Sequence, residues 1–140
     1  MADASVLDMR DMVVSNQSFG PSEIRQICKT ISEDYSQLGI LRDAVTELAQ
    51  ASDRSPAQSV RLGVSQYLLG KFSEALETLS RADGSALSLY YLAKTEFQLL
   101  QYDDSLTHFA AAKGAGYDAD QCQISSAEVL RYQSKLPEAM

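Results

Sequence analysis

The sequence has little of what catalysis and metal binding require. It contains one histidine, His108, and two cysteines, Cys28 and Cys122, which lie far apart and in no metal-binding or redox spacing. The glycines at 114 and 116 lack the lysine–serine sequence of a phosphate-binding loop. We therefore expect both cysteines to be free, semi-buried thiols of a reducing compartment. Neither an enzymatic activity nor a cofactor or metal is predicted.

Long apolar runs and a surplus of positive charge are also absent. No run approaches the roughly 20 residues of a membrane span, and the first residues lack the basic-then-apolar pattern of a secretion signal. Direct membrane insertion is therefore not expected, and the cytoplasm is the expected location. With 19 acidic and 12 basic residues the net charge is −7, which disfavours binding to nucleic acid. Since 45% of the 140 residues are apolar, the chain is long and apolar enough for one folded domain.

A repeated segment is the strongest signal that the sequence does contain. The stretch LGKFSEALETL at 69–79 has one counterpart upstream, at 38–48, and one downstream, at 99–109. A partial fourth copy begins at position 134. A nearly constant spacing of this kind, within the range of about 20–50 residues, is typical of arrays of small helical units.

Each copy predicts a helix, a tight turn and a second helix. Gly39 and Gly70 are suited to the left-handed backbone that ends a helix. The second helix of each unit begins with a large apolar residue. A small residue follows three positions later, and another large apolar residue four positions after the small one. These positions are Leu41, Ala44 and Leu48; Phe72, Ala75 and Leu79; and Tyr102, Ser105 and Phe109. The small residue lies on the same face as the large ones, so two helix backbones can approach closely there.

Apolar periodicity and capping signals predict eight helices and no strand. Their predicted ranges are 4–16, 21–38, 41–51, 56–69, 72–82, 86–100, 103–113 and 118–133. Pro21 and Pro56 stand at first helical turns, the latter after a good capping residue, Ser55. The short helix at 4–16 is expected to cap the first repeat. A role in dimerisation is the alternative.

These residues resemble the tetratricopeptide repeat. The second unit carries the pattern best, with Leu62-Gly63 in its first helix followed by Gly70, Phe72, Ala75, Leu79 and Ala82. The family's aromatic residue at the third signature position is Tyr35 in the first unit, but Gln66 and Glu96 stand there in the next two.

The resemblance covers about residues 20–140 and implies an all-α fold, a right-handed superhelix (α-solenoid) of antiparallel helix pairs. A capping helix would occupy residues 1–18 and the repeat domain 19–140. The units would be about 21–55, 56–84, 85–117 and an incomplete 118–140, as expected for a piece of a longer repeat protein.

By this resemblance, the first helices of the pairs line a concave groove. The positions expected to bind a partner there are Lys29, Val64, Tyr67, Leu68, Tyr90, Lys94, Phe97, Gln98, Glu128, Arg131 and Tyr132. Tyr90, Lys94 and Gln98 are expected to be exposed, whereas Tyr67 and Phe97 are equally suited to packing between units. The groove is apolar and aromatic with isolated charges, and it lacks the Lys/Arg cluster of a clamp for acidic tails.

The predicted function is that of a non-enzymatic interaction module that binds a peptide segment of a partner protein, as a scaffold, assembly or chaperone-like protein. A small secretion-type chaperone is a narrower version, which such family members resemble in size. The alternative is a structural repeat protein whose two ends mediate homo-oligomerisation.

Overall fold

Eight α-helices make up most of the computed structural model, which describes residues 8–16 and 19–134; no strand occurs in those ranges. The helices are α1 (Met9–Val14), α2 (Pro21–Glu33), α3 (Gln37–Gln50), α4 (Pro56–Leu68), α5 (Phe72–Ser80), α6 (Ala86–Gln98), α7 (Tyr102–Gly114) and α8 (Ala119–Ser134). Most predicted bounds are correct to within a turn of helix. The predicted positions 4–7 of the first helix, and the fourth copy beyond position 134, lie outside the described residues.

The predicted capping signals are confirmed at the start of α4. The Ser55 hydroxyl accepts a hydrogen bond from the Gln58 N–H (3.1 Å), and the Gln58 side chain accepts one from the Ser55 N–H (2.9 Å). This reciprocal pair satisfies two backbone donors that a helix start leaves without a partner. Pro56 occupies the first turn of α4, and Pro21 does the same in α2.

The turns after α4 and α6 have the same geometry at equivalent positions of consecutive repeats. After α4, the Lys71 N–H donates to the Gln66 carbonyl (2.9 Å) beside Gly70, whose φ is +79°. After α6, the corresponding bond is 2.8 Å long and Leu100 stands in the left-handed region with φ +65°. In both turns, an N–H beyond the helix donates a hydrogen bond to one of the last carbonyls of that helix. The repeat seen in the sequence is therefore also a repeat of backbone conformation.

Close helix contacts form at the predicted small residues. Ala75 and Ser105 have no exposed surface, and Ala44 is 2% exposed. The Ser105 hydroxyl donates to the Ala93 carbonyl of the preceding helix at 2.7 Å. A β-carbon on Gly63 would lie 2.5 Å from the Leu79 side chain, so α4 and α5 leave no room for one.

The first unit differs from the prediction because a turn interrupts it early. The Asp34 carboxylate accepts hydrogen bonds from the Ser36 N–H (3.1 Å) and hydroxyl (2.5 Å), and these hold Asp34 in extended backbone. Short polar side chains that bond to nearby backbone in this way compete with the helix. The helix predicted at 21–38 therefore ends at Glu33, and the next begins at Gln37. Gly39 thus lies inside α3 instead of ending a helix, which corrects the expectation for it.

The packing partner of α3 also differs from the prediction. Adjacent helices pack as α4 on α5, α5 on α6, α6 on α7 and α7 on α8, but α3 packs mainly against α1 and touches α2 only slightly. The short helix α1 is therefore the main pairing partner of α3, and α2 reaches the same cluster through Ile27 and Ile31. Tyr35, the aromatic residue at the third signature position of that unit, is 76% exposed. The α1 residues that join the buried cluster under α3 are Met9, Met12 and Val13, in contact with Leu41, Ala44, Val45, Leu48 and Leu62.

Candidate functional site

Predicted groove residues from three helices meet at one small cavity. Tyr67 of α4, Lys94, Phe97 and Gln98 of α6 and Glu128 of α8 line a space of about 100 Å³. We name the surface formed by α4, α6 and α8 around these five residues the first-helix face. The structure therefore brings together predicted groove residues from three different helices.

Lys94 is surrounded by aromatic rings at the centre of this face. Its Nζ lies 5.7 Å from the ring centroid of Tyr67, 5.6 Å from that of Tyr90 and 5.8 Å from that of Tyr91. Burial lowers the pKa of Lys94, and the nearby Glu128 carboxylate opposes that shift. The ring faces stabilise an ammonium group, and a ligand carboxylate could approach the same group.

A chain of tyrosine rings extends from Lys94 towards the start of α8. Tyr67 meets Tyr91 edge-on at 5.5 Å, Tyr91 meets Tyr90 at 5.4 Å, and Tyr90 stacks on Tyr117 at 4.1 Å with 10° between the ring planes. The Tyr90 hydroxyl lies 3.1 Å from the hydroxyl of Ser125. Tyr90 is only 4% exposed, so the expectation of an exposed ring is wrong. Burial also raises the pKa of Tyr117 to about 12.

Tyr91 and Tyr117 were not predicted to take part in this surface. Tyr91 follows Tyr90 directly, so helical geometry turns it by about 100°, which directs its ring towards α4. Tyr117 lies in the loop before α8, next to Gly116 in the left-handed region with φ +106°. The Gly114-Ala115-Gly116 sequence signals a turn there, but where that turn sends the following ring depends on the packing of α7 against α8.

A larger cavity lies beside Lys94 and the tyrosines. Its volume is about 670 Å³, and residues from the start of α2, from α6 and from the start of α8 surround it. The lining residues are Phe19, Gly20, Pro21, Ile24, Arg25, Ala86, Leu87, Tyr90, Tyr91, Lys94, Gly116, Tyr117, Asp118 and Gln121. Two cations, Arg25 and Lys94, face this space against one carboxylate, Asp118. Asp118 already accepts hydrogen bonds from the first N–H groups of α8.

Helix α2 meets the first-helix face at Ile24. Ile24 is 4% exposed and belongs to the same buried cluster as Val60 and Val64 of α4 and Tyr90 and Tyr91 of α6. Val64 is completely buried in this cluster, so it is not accessible to a partner. Leu68, another predicted groove residue, is partly buried against this cluster.

Lys29 does not join the other predicted residues. It lies on α2, its side chain is 74% exposed, and its ammonium is 3.8 Å from Glu33 on the same helix. The prediction placed Lys29 on a first helix of the array. Helix α2 meets that face at Ile24, whereas Lys29 lies on the exposed side of α2.

At the other end of the face, Phe97 packs between helices. Its ring lies 5.8 Å from Tyr102 of α7 and 5.3 Å from Tyr132 of α8. Arg131 lies over the Tyr132 ring at 5.7 Å and is 3.8 Å from the Glu128 carboxylate. Glu128, Arg131 and Tyr132 are exposed, so this end of the face is open to solvent.

The histidine takes part in a polar contact within one helix pair. His108 Nδ1 lies 2.7 Å from Oε1 of Glu96, a carboxyl that is 4% exposed. In the preceding repeat, Thr78 donates a hydrogen bond to Gln66 at the equivalent positions, also at 2.7 Å. The repetition indicates a structural link between the two helices of each pair.

The described residues offer little for metal or thiol chemistry. Within them, no three His, Cys, Asp or Glu side chains are placed to hold a metal ion. Both cysteines are free, as expected, but Cys28 is exposed and Cys122 is buried. Burial raises the pKa of the Cys122 thiol, which makes it a weaker nucleophile at neutral pH.

Comparison of the chain with protein-family models, with curated proteins and with solved structures finds no match in any of the three. Within residues 8–16 and 19–134, no helix is both long and apolar enough to cross a bilayer.

Proposed function

We propose that this protein is a non-enzymatic interaction module of tetratricopeptide-like architecture that binds a peptide segment of a partner protein. The observation that carries this proposal is the cavity of about 670 Å³ beside the three tyrosines that surround Lys94. Large aromatic side chains that frame a pocket with one central charge are typical of protein-binding hot spots. The bound peptide would place an apolar side chain among the tyrosines and a carboxylate near Lys94.

Selection from a displayed library of random peptides tests this proposal. We expect wild-type protein to enrich peptides that carry an acidic residue next to apolar ones. Each peptide's affinity is then measured by fluorescence anisotropy against Lys94→Met and against a matched control, Lys113→Met, which removes an exposed lysine at the end of α7. Loss of a charge pair in a partly desolvated site predicts at least tenfold weaker binding to Lys94→Met and unchanged binding to Lys113→Met. No enrichment, or equal affinity for both variants, would contradict the proposal.

A second candidate function is self-association through α8, and a specific surface favours it. Ile124 is 63% exposed and Leu130 is 54% exposed. Leu130 and Ala127 also line a shallow depression of about 330 Å³ between α7 and α8, which includes part of Phe109. An apolar surface of this kind can receive a further helix from the same or another molecule.

A further inference from the structure

We infer that α2 is a displaceable internal occupant of the binding surface, and that the partner is an amphipathic helix with aliphatic residues spaced as they are in α2. This inference rests on the proposed function, since it specifies the ligand and the regulation of the same face. A partner would bind by replacing α2 over the two buried clusters that its isoleucines enter.

The residues that seat α2 follow helix-in-groove spacing. Ile24, Ile27 and Ile31 stand at positions i, i+3 and i+7, so they form one stripe along the helix. Ile24 is 4% exposed and Ile27 is fully buried, each in contact with a different core cluster. The other sides carry exposed residues, among them Gln26 and Lys29. Amphipathic helices bind grooves in other proteins by presenting the same spacing of apolar residues.

Among the described helices, α2 makes the fewest contacts with its neighbours. Helix α1 packs directly on α3 and α4, so the helices on either side of α2 in sequence are joined without it. The turn at 34–36 separates α2 from α3. Two buried side chains in a helix of 13 residues make a small contribution to the core, so α2 can open at a lower free energy than α4 or α6.

Release of α2 would remove Ile24 from the surface around Lys94 and so open a binding site there. Ile24 shares its buried cluster with Val64, Tyr90 and Tyr91, and it lines the large cavity together with Lys94. While α2 occupies the face, an external helix must compete with α2, which is tethered to it. The apparent affinity of the external helix then equals its intrinsic affinity multiplied by the fraction of molecules in which the face is free.

Two substitutions in the 140-residue chain distinguish the release of α2 from the effect of an added charge. Ile24→Asp places a carboxylate among the apolar residues under α2, whereas Gln26→Asp adds the same charge on the exposed side. The probe is a fluorescein-labelled peptide of residues 19–36, and anisotropy measures its binding. We expect the peptide to bind Ile24→Asp at least tenfold more tightly than wild type or Gln26→Asp. Equal affinity for the three proteins, or binding to none of them, would overturn the inference.

Hydrogen–deuterium exchange on the wild-type chain keeps the inference testable if Ile24→Asp fails to fold. We expect the α2 amides to exchange at least 100-fold faster than those of α4 and α6. Equal protection in all three helices would show that α2 is an integral part of the core, which overturns the inference. A wild-type dimer that the peptide dissociates would also overturn it, because the occupant would then be α2 of a second copy.

The two proposals fail in different ways. Peptides selected on the wild type that bind wild type and Ile24→Asp equally, yet lose affinity for Lys94→Met, would leave the proposed function intact and overturn the role of α2.

Discussion

Leu100 is the clearest case in which one residue opposes the backbone conformation that the fold imposes. Its φ of +65° places it in the left-handed region, where a glycine, Gly70, stands in the equivalent turn of the preceding repeat. A β-carbon in this region crowds the following carbonyl, which costs about 1–2 kcal/mol. The side chain is 68% exposed, so packing does not offset that cost.

Replacement of Leu100 by glycine is therefore expected to stabilise the protein by about 1 kcal/mol, because the strain is removed and little contact is lost. The midpoint of urea unfolding measures the change. Leu100→Ala is the control, since it removes the same exposed side chain but keeps the β-carbon. A gain that is equal in both variants would show that the left-handed backbone is not its cause.

The Glu96 carboxyl gives a second prediction at the level of a single residue. Burial raises its pKa above the ordinary value for glutamate, and the hydrogen bond with His108 opposes that shift. Between the unfolded and the folded pKa, the folded chain therefore binds more protons at this site than the unfolded chain does. This group's contribution to stability consequently falls as pH rises through its folded pKa.

Glu96→Gln removes this titration and copies the glutamine found at position 66. We expect the free energy of unfolding of Glu96→Gln, minus that of wild type, to increase as pH rises from acidic to neutral. Chemical denaturation at several pH values measures this difference in unfolding free energy. The contributions of the other carboxyl groups are the same in both proteins and cancel in the difference. A difference that stays constant over this range would mean that Glu96 titrates normally in the folded chain.

At the level of whole helices, α1 depends on a buried arginine. Arg61 of α4 is 2% exposed, and its guanidinium donates to the carbonyls of Val13 (2.7 Å), Val14 (2.9 Å) and Asn16 (2.8 Å). Carbonyls at the end of a helix lack partners within that helix. Arg61 therefore fixes a helix that is too short to be stable alone, and it does so from a distant part of the sequence.

Arg61→Met keeps much of the apolar stem but removes these donors, and we expect it to destabilise the protein by roughly 2–4 kcal/mol. Loss of α1 exposes one side of α3, so its amides should exchange faster in the variant. Arg81→Met serves as the control, because Arg81 is exposed and its ion pair is with Glu77 on the preceding turn; its expected cost is below about 0.5 kcal/mol. Similar costs for the two substitutions would contradict a capping role for Arg61.

At the scale of the whole molecule, two surfaces are candidates for contact with another chain: the first-helix face and α8. Leu130 and Ala127 of α8 line the depression between α7 and α8, and neither lines the cavity around Lys94. Substitutions at Lys94 and at Leu130 therefore test the two proposals separately.

If α8 mediates self-association, Ile124→Glu with Leu130→Glu should abolish a concentration-dependent dimer, because two carboxylates would be buried in the contact without partners. Light scattering after size-exclusion chromatography measures the mass at several concentrations. Tyr35→Glu is the control, since it places a charge at an exposed aromatic residue remote from α8. A wild type that stays monomeric at all concentrations would exclude this association.

Much of the helical architecture follows from the sequence. Apolar spacing, prolines and the Ser55 cap place most helix bounds, because these signals act over short stretches of chain. The small residues Ala75 and Ser105 identify where helices touch, and the repeat period brings Tyr67 and Lys94 onto one face. The end of α2 is also encoded locally, by the polar residues of the turn at 34–36. In the sequence, this turn signal is weaker than the apolar periodicity that continues across the turn.

What the tertiary structure decided is which surfaces meet. The apolar stripe of α2 requires burial on one side, yet it does not specify α3 or the face of α4 and α6 as the partner, since several apolar surfaces satisfy the same stripe. Arg61 of α4 ties the end of α1 to α4, and α1 also packs on α3, while Ile24 of α2 enters the cluster of Val64 and the tyrosines. Local sequence thus determines the helices and their repeat, whereas contacts between distant parts of the chain determine which predicted binding residues are open to a partner.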